Sequence, residues 1–246
     1  MKESVLAEAR ARLSVAKRLV VLVGAGLSQE SGVPVFRGAQ GLWKSFRPED
    51  LATPTAFARM PEEVWAWYRW RLEQLAPARP HAGHQALARL ALTRSVTVVN
   101  QNVDGLLEEA FFEAGADLDC IMAVHGSIRR AHCQRCGASQ AMAALPPDPV
   151  PTCSCGGRLR PSVVWFGESL DPAHLLRMDG TAHAADLALG VGSSALVWPA
   201  AGVLATARRR ACPVIIVNPD PAAAVDGDLW LEGSAAAWLP RLLEAP

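Results

Sequence analysis

The sequence predicts an α/β protein, a Rossmann-like doubly wound parallel sheet with a smaller lobe made of a zinc module and a helical insertion. Three observations predict it. Four short, predominantly apolar runs each stop at glycine or polar residues, and segments of helical periodicity lie between them. Such runs are strands buried on both faces, and the alternation is that of crossover helices covering a parallel sheet. Two stretches, 46–80 and 129–163, break the alternation, and the second holds four of the six cysteines.

Bulk properties narrow the function classes. A chain of 246 residues fits one large domain or two small ones. Half of the residues are apolar, which supports a sizeable core and excludes global disorder. The 24 Lys+Arg against 24 Asp+Glu leave no formal net charge, so direct nucleic-acid binding is not expected. No apolar run reaches the ~18 residues of a membrane span. The stretch Met1–Arg10 carries Glu3 and Glu8 and no apolar core, so no secretory signal is expected. Clustered cysteines in a chain of this length read as a metal site in a reducing compartment, and a cytoplasmic location is expected.

Element by element, residues 1–18 alternate apolar and charged positions at helical spacing. Leu19–Val23 is the first strand; Gly24-Ala25-Gly26 breaks it, and Leu27–Ser31 reads as a helix start that Pro34 interrupts. Segment 46–80 contains a Trp-rich amphipathic helix, roughly Pro61 to Leu75. Val96–Val99 is the second strand, followed by Asn100-Gln101-Asn102-Val103-Asp104-Gly105 and a helix from Leu106. Segment 129–163 is Cys-, Pro- and Gly-rich with almost no periodicity. Leu187–Val191 ends in Gly192-Ser193-Ser194, and Val214–Val217 ends in Asn218-Pro219-Asp220. The expected division is a Rossmann-like domain of 1–45, 81–128 and 164–246, a helical insertion of 46–80 and a zinc-binding module of 129–163. In such sheets ligands sit beyond the carboxyl ends of the strands, where all four polar clusters fall.

Three groups of residues point to chemistry. Gly24-Ala25-Gly26-Leu27-Ser28 follows a strand, where glycine and free N–H groups suit a pyrophosphate. A bare G-x-G is equally a tight β–α turn, and Gln29 stands where the dinucleotide fingerprint has its third glycine. No strand ends in an acidic ribose ligand about twenty residues on, which argues against a dehydrogenase. Phe36 and Arg37 fall on the following loop, as an aromatic face and a fixed cation near the phosphates, or as a packed ring and a surface charge. Cys133 and Cys136, then Cys153 and Cys155 after a sixteen-residue gap, suit a closed tetrahedral zinc site, structural and one per chain. Cys120 and Cys212 read as ordinary small buried residues. Tyr68 and Arg71 are i and i+3 on one helix face, an arrangement suited to gripping a carboxylate if Trp65, Trp67 and Trp70 bury that face. Both are equally at home on a solvated helix surface.

The motifs together resemble the sirtuin family. Gly24-Ala25-Gly26-Leu27-Ser28-Gln29-Glu30-Ser31-Gly32-Val33-Pro34-Val35-Phe36-Arg37 resembles its G-A-G-x-S-x-x-S-G-I/V-P-x-F-R signature. Gln101-Asn102-Val103-Asp104-Gly105-Leu106 resembles Q-N-x-D-x-L, and Val124-His125-Gly126-Ser127 its H-G block. The cysteine quartet, Val164-Trp165-Phe166-Gly167-Glu168, Gly192-Ser193-Ser194 and Val217-Asn218-Pro219 follow in the family's order, so the resemblance covers about residues 14–243. The C-x-C second pair departs from the commoner spacing.

The resemblance implies an NAD-dependent protein-lysine deacylase that consumes NAD as co-substrate and yields free lysine, nicotinamide and O-acyl-ADP-ribose. Its partners are acyl-lysine proteins or peptides. It makes His125 the general base, a role its ordinary pKa near 6.5 suits, although a lone His before Gly is also a common loop residue. It assigns Gly24, Ala25, Gly26 and Ser28 to the pyrophosphate turn. Gln101 goes to the ribose, and Asn102 and Asp104 to the nicotinamide carboxamide. Arg37 and Phe36 order and shield the reactive end, while Gly192, Ser193 and Asn218 take the adenosine side. Val164, Phe166, Gly167 and Glu168 resemble the segment that pairs with substrate backbone as an added strand. Tyr68 and Arg71 look like the Y-x-x-R element of class III sirtuins, which remove succinyl, malonyl or glutaryl groups. The alternative activity is protein mono-ADP-ribosyl transfer from the same pocket; an NAD sensor without turnover and a zinc-ribbon nucleic-acid protein fit the residues less well.

Overall fold

The structure is a computed structural model and describes residues 2–34 and 48–243. In chain order its helices and strands are α1 (Lys2–Val15), β1 (Arg18–Val23), α2 (Pro48–Leu51), α3 (Pro54–Arg59), α4 (Pro61–Gln74), α5 (Ala82–Thr93), β2 (Ser95–Asn100), α6 (Leu106–Ala114) and β3 (Ile121–Ala123). There follow β4 (Gly126–Cys133), β5 (Ser139–Ala141), β6 (Leu159–Val163), α7 (Pro172–Ala184), β7 (Leu187–Val191), α8 (Gly202–Arg209), β8 (Val214–Val217), β9 (Leu229–Leu231) and α9 (Ala235–Leu243).

The large sheet runs β3-β2-β1-β7-β8-β9, all parallel. Counting only its own strands this is the order 3-2-1-4-5-6 of the dinucleotide-binding fold. Side chains on β1 alternate between two cores. Leu19, Val21 and Val23 pack with α1, α5, α6 and α9 on one face. Val20 and Leu22 pack with α7 and α8 on the other. Both faces being covered, the strand has no polar position after Arg18, which is why it reads as a continuous apolar run.

A second, antiparallel sheet, β5-β4-β6, stands apart from the first. Its Ile128, Ala131 and Val163 share a core with Phe57, Val64, Trp65, Trp67 and Tyr68 of α3 and α4. Segments far apart in sequence thus form one small lobe. The Thr53 hydroxyl caps α3 by accepting the Ala56 N–H at 3.1 Å, with Pro54 at the first helical position. Among the described residues no helix is long and apolar enough to cross a membrane.

The structure corrects the expected helix start at Leu27–Ser31. Two single 3₁₀ turns, Ala25–Leu27 and Gln29–Ser31, stand there instead. Gly32 closes them at φ +83°, and the left-handed residue ends the helical ladder before Pro34 can. The three strands inside 129–163 and its approach are also new. The β4–β6 register shifts between Ser127 and Ala131; a bulge of this kind erases the alternation by which a strand is read.

Candidate active site

The carboxyl ends of β1, β2, β7 and β8 open onto one cleft of about 670 Å³. The sheet order changes direction between β1 and β7, the place where such folds bind dinucleotides. The turns after these two strands lock together: Gly24 N–H donates to Val191 O at 3.0 Å and Gly26 N–H to Gly192 O at 2.9 Å. A Cβ on Gly24 would lie 2.8 Å from Ser193 Cα, and one on Gly192 only 2.4 Å from Gly26 C. These glycines are therefore demanded by turn-to-turn contact, a reason separate from ligand approach. Gly24, Ala25, Gly26, Gly192, Ser193 and Asn218 all line the cleft.

Ser28 does not line it. It is 1 % exposed and works from beneath the floor. Its hydroxyl oxygen accepts from Asn102 Nδ2 at 3.3 Å, and the hydroxyl helps keep the neighbouring Asp104 carboxyl charged. Asn102 Nδ2 also donates to Gly24 O at 3.0 Å, and its N–H donates to Asn100 Oδ1 at 3.0 Å. Asp104 Oδ1 accepts the Leu106 N–H at 2.9 Å. Burial pushes the Asp104 carboxyl above the usual range, opposed by that N–H, by Ser28 and by the Arg129 and Arg71 cations. Asn102 lines the main cleft, and Asp104 lines a smaller recess beside it with Arg71 and Trp70.

A further support was not singled out in the sequence. His84 Nδ1 accepts the His81 N–H at 3.3 Å, so its proton sits on Nε2, which faces the Ser28 hydroxyl oxygen at 3.5 Å. Burial, aided by His81, lowers His84 to about 3, which keeps it neutral. His81 itself accepts the Gly83 N–H on Nδ1 at 3.0 Å. The two histidines fill the N-cap and N3 positions of α5, as Ser and Glu do in the usual capping box. The signal was two His three apart after Pro80.

His125 lines the cleft beside Gln101. Its Nδ1 lies 3.0 Å from Gln101 O. A carbonyl only accepts, so Nδ1 carries the proton and Nε2 keeps its lone pair. Burial lowers the imidazole pKa, with the Gln101 carbonyl opposing. Gln101 Oε1 in turn accepts the Ser193 hydroxyl at 2.8 Å, and Ser193 O accepts Asn218 Nδ2 at 2.9 Å. One hydrogen-bonded chain thus stitches the ends of β2, β7 and β8.

The opposite wall lies where the small lobe meets the large one. Val164, Phe166, Gly167 and Glu168 line the cleft with Tyr68 and Arg71. Val164 N–H donates to His125 O and Phe166 N–H to Ala52 O, both at 2.9 Å. The Glu168 carboxylate is already engaged, by Arg160 at 2.5 and 3.0 Å and by the Trp165 N–H at 2.7 Å. Arg71 Cζ lies 4.8 Å from the Trp67 ring centroid and 5.4 Å from that of Tyr68. Burial pushes the Tyr68 phenol up, and it lowers Arg71, with the nearby Tyr68 and Asp104 groups opposing. Trp65 and Trp67 are buried as expected, but Trp70 is 40 % exposed, at the rim of the recess. Phe36 and Arg37 lie outside the described residues.

The four cysteines meet in the small lobe. All Sγ atoms of Cys133, Cys136, Cys153 and Cys155 lie within 4.8 Å of one another. Cys133–Cys155 is 3.5 Å and Cys136–Cys153 is 3.8 Å. Tetrahedral thiolates at ~2.3 Å from zinc would stand about 3.8 Å apart, so the donor set fits zinc with no open position. The Cys136 and Arg135 N–H groups aimed at its sulfur draw the Cys133 thiol down to about 6, against the opposing cost of burial. The shorter C-x-C spacing is accommodated by Gly157, where a Cβ would come within 2.6 Å of Cys133 Sγ. Cys120 and Cys212 are half-buried rather than buried, and Cys120 Sγ–H donates to Asp117 O at 2.9 Å.

Residues 24–199 match the Sir2 family. An NAD-dependent protein deacylase 2 of Pyrobaculum aerophilum is 43 % identical over 235 residues, covering 94 % of this chain and 92 % of that protein. An NAD-dependent protein deacylase of Thermus thermophilus is 46 % identical over 223 residues, covering 88 % and 85 %. Among solved structures, a Sir2 homologue–NAD complex superposes with a TM-score of 0.82 at 39 % identity, over 98 % of this chain and 92 % of that one. A Sir2 mutant with a deacetylated p53 peptide and 3'-O-acetyl-ADP-ribose gives 0.85 at 26 % identity, over 96 % of both. The fold, the cleft and these matches agree, and the chain belongs to the Sir2 family.

Proposed function

We propose that this NAD-dependent protein deacylase removes succinyl and malonyl groups from lysine as well as acetyl, releasing nicotinamide and O-acyl-ADP-ribose. The observation that carries the acyl preference is Arg71 beside Tyr68 in the cleft wall, backed by the ring of Trp67. A guanidinium held against aromatic faces offers two parallel N–H groups, which match a carboxylate and match no group of an acetyl chain. A pocket that admits the longer acyl group does not thereby reject the shorter one.

The remaining roles follow the cleft. NAD, when bound, supplies an electrophilic ribose carbon for the acyl oxygen. Ala25 and Gly26 present their turn to the pyrophosphate, and Ser193, Asn218 and Gly192 receive the adenosine side. Gln101 meets the ribose. Asn102 and Asp104 hold the carboxamide, both braced by Ser28. His125 Nε2 takes the proton from a ribose hydroxyl. Phe36 and Arg37, outside the described residues, keep the role at the reactive end that the family resemblance implies. Val164, Phe166, Gly167 and Glu168 border the peptide, whose main chain would pair there as an added strand, a mode that gives affinity with little sequence demand. The zinc staples the lobe whose strand β6 leads into this segment. The division into 1–45, 81–128 and 164–246, with 46–80 and 129–163 as insertions, is part of the same reading.

Arg71→Met tests the preference. The expected result is a desuccinylation kcat/KM reduced roughly 10- to 100-fold more than deacetylation, the size of a lost charged hydrogen bond. Equal losses on matched succinyl and acetyl peptides would make Arg71 a structural residue and remove the proposal.

A further inference from the structure

We propose that Trp165 is a positioning residue for the acyl carboxylate: its indole N–H fixes the Tyr68 hydroxyl so that the hydroxyl proton points at the substrate. The proposal rests on the Tyr68–Arg71 reading above. Trp165 Nε1 donates to the Tyr68 hydroxyl at 2.9 Å, and both side chains are only 2 % exposed. Arg71 stands beside the same ring, its Cζ 5.4 Å from the ring centroid. Indole and guanidinium N–H groups donate and never accept. The indole therefore occupies a lone pair of the phenol oxygen, and the phenol's single proton cannot be spent on it or on the neighbouring guanidinium. It is left for an acceptor in the cleft that Tyr68 lines.

The indole is itself held rigidly. Arg160 Cζ lies 3.4 Å from its ring centroid, and the Phe57 ring packs at 5.2 Å. Arg160 is 7 % exposed, grips both Glu168 oxygens and also donates to Val163 O at 2.9 Å. Glu168 closes the loop by accepting the Trp165 N–H at 2.7 Å. A buried ion pair contributes little net stability, and orientation is a better-founded use for it. Arg160 and Glu168 orient Trp165, and Trp165 orients Tyr68. The segment that borders the peptide is thereby wired to the residue that reads the acyl tail. An acetyl group, having no carboxylate, does not use this device.

Trp165→Phe removes the N–H and keeps an aromatic ring. The expected result is a succinyl-to-acetyl kcat/KM ratio lowered roughly 3- to 10-fold, the size of a lost neutral hydrogen bond. The loss should fall on KM for the succinyl peptide, because the tail is held alike in ground and transition states. In a Tyr68→Phe background the same change should leave the ratio where Tyr68→Phe alone put it. An unaltered ratio for Trp165→Phe, or an equal drop in the Tyr68→Phe background, would overturn the proposal. Should Trp165→Phe fail to fold, Tyr68→Phe alone decides: the ratio must fall, and an unchanged ratio overturns the idea. Arg71→Met separates the two levels. A selective Arg71→Met with a non-selective Trp165→Phe sinks only the Trp165 role; a non-selective Arg71→Met sinks the carboxylate reading and this proposal together.

Discussion

His125→Ala is expected to lower deacylation of either acyl peptide by roughly 10²- to 10⁴-fold, the usual worth of a general base. The tautomer explains why no neighbour substitutes for it. The Gln101 carbonyl holds the ring proton on Nδ1 and leaves Nε2 as the basic nitrogen. The pH dependence follows with a definite sign. The base works when neutral. Burial disfavours its cation and sets its pKa below the ordinary 6.5. Activity should therefore hold at pH 6.5 and fall only at lower pH, as Nε2 takes up a proton. A kcat/KM profile from pH 5 to 8 checks this; an acid limb centred above 6.5, or a His125→Ala variant with near-normal turnover, would remove the role.

Stripping the metal should cost both activities together. Zinc affinity is folding free energy, because the four thiolates have no other reason to converge. Cys133 ends β4, and β4 pairs with β6, which leads directly into the 164–168 wall. Chelation under reducing conditions is expected to lower the melting temperature by more than about 10 °C, as several kcal/mol does in a domain of this size, and to abolish turnover. Cys136→Ala should do the same, and since Cys136 is exposed it opens no core cavity. Metal analysis should return one zinc per chain. A metal-free protein with an unchanged melting curve would contradict the assignment.

What was legible in the sequence follows from what burial does to a pattern. Strands β1, β2, β7 and β8 are covered on both faces and so appear as apolar runs. β3 and β9 are three residues each, too short for any period to register. β4 hides its pattern behind a register shift and carries Arg129, Arg130 and His132. At the site, most residues named from the spaced motifs line the cleft, but Ser28 does not, and Ala52, Leu170, Trp198 and Pro199 line it without having been singled out. The groups that hold the motif residues were not found: His84 under Ser28, Arg160 under Trp165 and Trp165 against Tyr68 are buried polar groups whose partners are dozens of residues away or hidden in an irregular loop. Even the glycine turn had a second cause, since Gly24 and Gly192 are fixed by each other's backbone.

The most direct test of the central claim offers the zinc-loaded protein NAD and two matched peptides, one acetyl-lysine and one succinyl-lysine, with mass spectrometry following acyl loss, nicotinamide and O-acyl-ADP-ribose. Faster NAD-dependent removal of succinyl, with O-succinyl-ADP-ribose released, is the predicted result. Acetyl removal alone would keep the deacylase and contradict the role given to Tyr68 and Arg71, and ADP-ribose attached to protein without acyl loss would contradict deacylation itself.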